Sequence, residues 1–230
     1  LAKWHRFPYA FGVTEASSFL APLQAYPALK CDFTLRVAEA RTSTDKDEAL
    51  KYLEPHHQKS IHRLGFPSAY LAEQIHGNSV ALITPESPAL SLGVDGLITN
   101  HPNLLLGVYV ADCGPVYLYD SKKNALGLVH SGKKGTQRNI LHQAIQKMKT
   151  EFGTSPEDLT IVLGPCIRPP DYEIDFASEI FQQALSAGVL KNRIFDSQIS
   201  TAQDLTRYYS YRAEKGNTGR HLALLGRHSS

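Results

Sequence analysis

Long hydrophobic runs are missing from this sequence. The strongest, Leu104 to Val110, is far too short to cross a bilayer, so no membrane partner is expected. An excess of one charge is missing too. With 24 basic and 22 acidic residues the formal net charge is +2, and the charges are interspersed, which removes the electrostatic case for nucleic acid. Cysteine is scarce: Cys31, Cys113 and Cys166 form an odd, widely spaced set, unsuited to a disulfide scaffold and matched to a reducing compartment. The basic start, Leu1 to Arg6, leads into no apolar stretch. No secretory signal is read there, and the cytoplasm is the expected location. Tandem repeats, low-complexity tracts and long linkers are also lacking. Residues 1–230 are therefore expected to form a single domain with a sizeable core.

What is present alternates between strand and helix signals. Residues 1–30 are aromatic and proline-rich and read as short strands and loops. Cys31 to Ala38 alternates apolar and polar residues, as a strand does. A charged helix is expected from Asp45 to His62, capped by Ser43 or Thr44 and interrupted or kinked at Pro55. Strand-like runs follow at Ser68–Gln74, Val80–Thr84, Val94–Thr99, Leu104–Ala111, Val116–Tyr119 and Ala125–His130. Ile140, Ala144, Ile145 and Met148 recur at helical steps and predict one helix over Thr136–Phe152. Then come a strand (Asp158–Gly164), a helix (Phe176–Ala187) closed by Gly188, a third helix (Asp204–Lys215) and a last strand (His221–Leu225). The mixture predicts an α/β or α+β fold.

Three residues stand where strands give way to small-residue turns: His76, Cys113 and His130. Reactive groups are commonly presented at such points, where a rigid strand meets an accessible loop. One thiolate and two imidazoles form a ligand set that suits zinc, and three protein ligands leave a fourth position free. Cys113 with a histidine base is equally the pairing of a metal-free nucleophilic hydrolase. A cysteine after an apolar strand also serves as inert packing, and most histidines are surface or hydrogen-bonded residues. The residues themselves leave all three readings open. Asp95, Asp112 and Gln74 are candidates to orient the imidazoles. Lys133 and Lys134 sit among glycines before a helix, a setting that suits either an anion or a solvated basic turn capped by Thr136. The proline-rich loop Gly164–Glu173 is a candidate pocket wall, with Cys166 either near the site or packed in the core.

The ordered segments Gln74-Ile75-His76-Gly77, Asp95-Gly96-Leu97-Ile98-Thr99, Ala111-Asp112-Cys113-Gly114-Pro115-Val116 and Gly127-Leu128-Val129-His130-Ser131-Gly132 resemble the laccase-domain family. So do Leu163-Gly164-Pro165-Cys166-Ile167, Tyr172-Glu173, Tyr209-Ser210-Tyr211-Arg212 and Thr218-Gly219-Arg220. The likeness runs from about Ser68 to the C-terminus. It implies a four-layer α/β/β/α sandwich with mixed sheets. It also implies His76, Cys113 and His130 as zinc ligands and catalytic residues, with copper as the alternative metal. The implied activity is a purine nucleoside phosphorylase with adenosine deaminase as a side activity. Purine nucleoside and phosphate are then the partners, contacted by Lys133, Lys134, Tyr172 and Arg212. A binding protein that kept the fold without catalysis is the rival reading.

This sequence departs from the family pattern in three places. Lys133-Lys134 stands where the family has Trp-Arg, Gly114 follows the cysteine where a Leu is usual, and no Arg-Gly-Gly turn occurs near Phe11–Thr14. An Arg fork thereby becomes a Lys point charge.

Overall fold

The computed structural model describes residues 19–229; of the aromatic, proline-rich residues 1–30, the first 18, with Phe11–Thr14, lie outside them, and the rest hold a short helix as well as the start of a strand. Its helices are α1 (Ala21–Gln24), α2 (Lys46–Arg63), α3 (Lys133–Gln137), α4 (Ile140–Phe152) and α5 (Phe176–Ser186). Its strands are β1 (Leu29–Phe33), β2 (Tyr70–Ala72), β3 (Val80–Leu82), β4 (Leu90–Ser91), β5 (Gly96–Thr99) and β6 (Leu104–Val110). They continue with β7 (Gly114–Asp120), β8 (Ala125–Ser131), β9 (Leu159–Leu163), β10 (Ile194–Asp196) and β11 (His221–Arg227). No helix among the described residues is long and apolar enough to cross a membrane.

The strands form two mixed sheets, ordered β1-β11-β6-β2-β4 and β10-β9-β7-β8-β5-β3. Alternation along each strand divides the apolar side chains among three cores. Leu104, Leu106, Val108 and Val110 of β6 meet Tyr117, Tyr119, Leu126 and Leu128 of β7 and β8 between the sheets. On the outer face of the first sheet, Leu105, Leu222 and Leu224 pack with Ile61 of α2 and with Phe66. On the outer face of the second, Val116, Leu118 and Val129 take Ile140, Ala144, Ile145 and Met148 of α4 and Phe176, Ile180 and Phe181 of α5. The result is the expected four-layer α/β/β/α sandwich. Strands β7 and β8 are buried at every residue because both of their faces are covered.

Several local expectations are corrected. The N-cap of α2 is Asp45, whose carboxylate accepts from Glu48 N at 2.8 Å. Ser43 Oγ instead accepts the Asp45 N–H. The helix runs unbroken through Pro55, because Lys51 and Pro55 both face solvent and water can satisfy the carbonyl that proline leaves free. The helix expected over Thr136–Phe152 is two helices, parted at Asn139 in the left-handed region (φ 58°). Residues 204–215 are successive turns, not a helix. There Asp204, Ser210 and Glu214 side chains capture the N–H groups of Thr206, Ala213 and Ser210, which a helix would need for its own ladder.

Candidate active site

The chain changes sheets repeatedly, and two of these crossings build the site. Residues 73–79 pass from β2 to β3, and the short link 111–113 passes from β6 to β7. His76 lies on the first crossing with φ 60°, and Asp112, before Cys113, takes φ 82° on the second. His130 belongs to β8, where it pairs with Pro115 of β7 and so stands beside the Cys113 turn. The ligand-type atoms of His76, Cys113 and His130 lie within 4.8 Å of one another. The two rings meet edge to face with centroids 5.0 Å apart.

One carboxylate organises both imidazole-bearing segments. Asp95, fully buried, accepts from the N–H groups of Ile75 (3.1 Å), His76 (2.9 Å) and Gly77 (2.7 Å) and from His130 Nδ1 (2.8 Å). The ring nitrogen that donates to Asp95 is fixed, so Nε2 is the atom left for the cluster. The other two candidate orienting residues act elsewhere. Gln74 clamps the backbone N–H and C=O of Tyr109. Asp112 accepts from Thr201 Oγ1 (2.7 Å) and Arg212 N (2.7 Å), tying two distant loops to the Cys113 turn.

Gly132 is required by close approach. A Cβ placed on it would lie 2.3 Å from Cys113 Sγ and 3.3 Å from its Cβ. Burial raises the cost of a Cys113 thiolate, but the charge of His130 and hydrogen bonds from both imidazoles bring its pKa down to about 6. Burial likewise opposes charge on His130, and the thiolate and Asp95 overcome it, raising it to about 9. Cys31 and Cys166 are pushed up to about 12 by burial. Cys166 is packing within the outer core of the second sheet.

These donors suit a metal ion. Around one tetrahedral zinc the sulfur and a nitrogen stand about 3.6 Å apart, so ligand atoms within 4.8 Å of one another need only small side-chain movements to share an ion. The thiolate is favoured, and the Asp95–His130 pair is a common supporting arrangement for a ligand imidazole.

The cluster lines a cavity of 570 Å³, within the range of roughly 300–1,000 Å³ usual for small-molecule sites. Lys133, Lys134, Tyr172 and Arg212, all singled out in the sequence, line it too. Gly132 is the N-cap of α3, which puts exposed Lys133 and Lys134 in its first turn; Thr136 is no cap, its hydroxyl being bonded to Ser131 at 2.8 Å. The Arg212 guanidinium lies 5.0 Å from the Tyr172 ring centre and pairs with Glu173. Ile167 and Phe176 add apolar wall. Sequence reasoning missed Lys46, Tyr109, Tyr211 and Arg220. Arg220 lay within a quoted motif, whereas Lys46 is one cation on a charged helix and carries no local signal.

A family model described as multi-copper polyphenol oxidoreductase laccase matches residues 41–179 and 174–228. A purine nucleoside phosphorylase of Staphylococcus saprophyticus is 30% identical, the match covering 78% of this chain and 82% of that protein. The purine nucleoside phosphorylase YlmD of Geobacillus stearothermophilus is 28% identical, over 67% of this chain and 70% of that protein. Among solved structures, YfiH of Bacillus licheniformis superposes with a TM-score of 0.78 at 22% identity, covering 86% of this chain and 92% of that one. YlmD gives 0.75 at 23% identity, covering 88% and 93%. These last two show a shared fold. Matched by the family model from residue 41 almost to its end, the chain belongs to the multi-copper polyphenol oxidoreductase laccase family, the laccase-domain family its motifs resemble.

Proposed function

We propose that this chain, as one unit over residues 1–230, is a cytoplasmic zinc-dependent purine nucleoside phosphorylase. It would act on adenosine- or inosine-type nucleosides, with adenosine deamination as a side activity. The observation that carries this reading is the convergence of His76, Cys113 and His130 in a pocket whose walls bear lysines and aromatic rings. Relatives bearing that enzyme name support it. Three donors from one place suit a single ion, whereas the several copper centres of a true multicopper oxidase need more, so phenol oxidation is not the main role.

His76, Cys113 and His130 would hold the ion. When bound, zinc supplies Lewis-acid charge beside the reacting groups. Asp95 keeps His130 in one tautomer and fixes the His76 backbone. Lys134 and Lys133 attract and hold the phosphate dianion as point charges. Arg212 over Tyr172 offers a flat surface to sugar or base, and Ile167 and Phe176 add apolar lining beside it. In phosphorolysis a phosphate oxygen bonds the anomeric carbon as the glycosidic C–N bond breaks. The bonding pair leaves with the purine, which is then protonated from water. The residues of the pocket bring the two reactants into line, and much of the acceleration comes from that positioning.

The test is metal content of the purified protein together with phosphate-dependent base release from adenosine and inosine. Stoichiometric zinc with phosphate-dependent release is the expected result, and His130→Ala should lose both. Full activity in a metal-free His130→Ala protein would sink the reading. A second reading, Cys113 as nucleophile with His130 as base, draws on the low pKa that its imidazole neighbours give the thiol. It requires activity that survives a chelator and is silenced by thiol alkylation. Zinc without turnover on any purine nucleoside would leave a non-catalytic, metal-binding member of the family.

A further inference from the structure

The pocket has two differently built walls. Lys133, Lys134, Tyr172 and Phe176 stand on the side of the second sheet, on α3, on α5 and in the loop before α5. Lys46, Tyr109 and Arg220 belong to the side of the first: Lys46 opens α2, Tyr109 is in β6 and Arg220 immediately precedes β11. The two elements that carry Lys46 and Arg220 are fastened together, since Arg220 O is bonded by His57 Nε2 of α2 at 3.1 Å.

Lys46 and Arg220 are cations whose hydrogen bonds among the described residues go to carbonyls, not to carboxylates. Lys46 Nζ donates to Glu73 O at 3.1 Å, and Arg220 Nη1 to the carbonyl of its neighbour Gly219 at 2.8 Å. Neither forms an ion pair among the described residues, although Arg36, Arg63, Lys122, Arg168 and Arg212 all do. Both are partly buried, where an unpaired charge is costly. Burial and then the charge of Arg220 hold the Lys46 ammonium below its ordinary value. Arg220, 5.7 Å from the Tyr211 ring centre, is likewise lowered, by burial. Two neighbouring cations, each bonded to a backbone carbonyl and both lining one cavity, are a site that an anion completes. The Lys133–Lys134 pair lacks this character, because both lysines are exposed and solvated.

We infer that Lys46 and Arg220 form a second anion subsite in this pocket, one that takes a phosphate-class oxyanion on the wall opposite Lys133 and Lys134. It deepens the phosphorylase reading and rests on that reading for its biological use, but not for its existence. Two sources supply such an oxyanion: free inorganic phosphate, and a phosphoryl group carried on the sugar of the nucleoside.

The experiment is calorimetric titration of the zinc-loaded protein with inorganic phosphate and, separately, with inosine and inosine 5′-monophosphate. Wild type is compared with Lys46→Gln, Arg220→Gln and Lys133→Gln/Lys134→Gln. If the subsite takes free phosphate, Lys46→Gln and Arg220→Gln each weaken inorganic phosphate about tenfold, the effect of one charge-assisted contact, and leave inosine unchanged. If it takes a phosphoryl group, the same variants erase a preference for inosine 5′-monophosphate over inosine. Unchanged binding of all three ligands in Lys46→Gln, a half-exposed position where folding is not at issue, overturns the subsite even if Arg220→Gln fails to fold. Binding is read without turnover, so a protein that binds phosphate through Lys46 but releases no base would retain the subsite while losing the phosphorylase reading.

Discussion

At the scale of single residues, Asp95 and Gly132 hold the site, one by what it accepts and the other by what it lacks. Asp95, itself fully buried, takes three backbone N–H groups and one imidazole N–H. Asp95→Ala leaves all four donors unmatched, each worth roughly 1–3 kcal/mol when buried. The expected outcome is loss of several kcal/mol in denaturant unfolding together with loss of bound metal. Asp95→Asn keeps an acceptor and should cost less in both readouts. Gly132→Ala places a methyl where the Cys113 sulfur lies. Its cost in stability should be modest, about 1–3 kcal/mol for overpacking. Metal content should fall sharply nonetheless, because the sulfur is the atom displaced. Circular dichroism beside elemental analysis separates the two effects, and a Gly132→Ala protein with full metal would show that Cys113 is not a ligand.

At the scale of elements, two places let the helices depart from what the sequence pattern predicts. Pro55 removes one rung of α2, yet the helix continues because Leu53, His57, Ser60 and Ile61 anchor it inward on both sides of the break. Pro55→Ala restores the rung and should raise stability by roughly 1–3 kcal/mol, read as a shift of the denaturant midpoint. Asn139 lets the chain turn from α3 at the pocket into α4 on the second sheet. Asn tolerates that left-handed backbone through its short polar side chain and Gly through the lack of a Cβ, so Asn139→Gly should be nearly neutral. Asn139→Val should cost about 1–2 kcal/mol. Equal stabilities for the two variants would mean that the joint bends freely.

At the scale of the whole molecule, two neutral histidines buried near the first sheet tie stability to pH. His221 donates from Nδ1 to Thr34 O at 2.7 Å and accepts the Tyr209 N–H at Nε2 at 2.8 Å, so protonation would break a bond as well as bury a charge. Burial lowers it to about 3. His57 donates from Nε2 to Arg220 O and leaves Nδ1 without a partner among the described residues, and burial lowers it to about 4. Both are neutral in folded and unfolded chains above pH 6.5, where they leave stability unaffected. Below it the unfolded chain binds protons that the folded chain refuses, so stability falls with pH until the folded groups titrate near 4 and 3. By pH 5 each costs roughly 2 kcal/mol. Thermal unfolding from pH 7 to pH 5 should show the loss, and His57→Gln should shallow it. An unchanged slope in that variant would exclude His57 as a contributor.

What the sequence determined by itself is what depends on near neighbours. Periodicity marks the long strands β6 and β8 and the helix α5 to within a residue, and the centre of β7, because burial on a sheet face or helix stripe is written at fixed steps. The motifs around His76, Cys113 and His130 mark which residues matter, since each sits where a strand yields to a turn. Their convergence was decided only by the tertiary structure. The chain crosses between sheets at 73–79 and again at 111–113, and only those crossings bring three distant side chains within 4.8 Å. The same holds for Lys46, an ordinary charge on a charged helix until α2 packs on the first sheet and turns its first residue toward Arg220. Asp204–Lys215 failed as a helix for the complementary reason. Its backbone N–H groups are taken by side chains, among them Asp112 from a hundred residues away, and such a partner leaves no trace in local spacing.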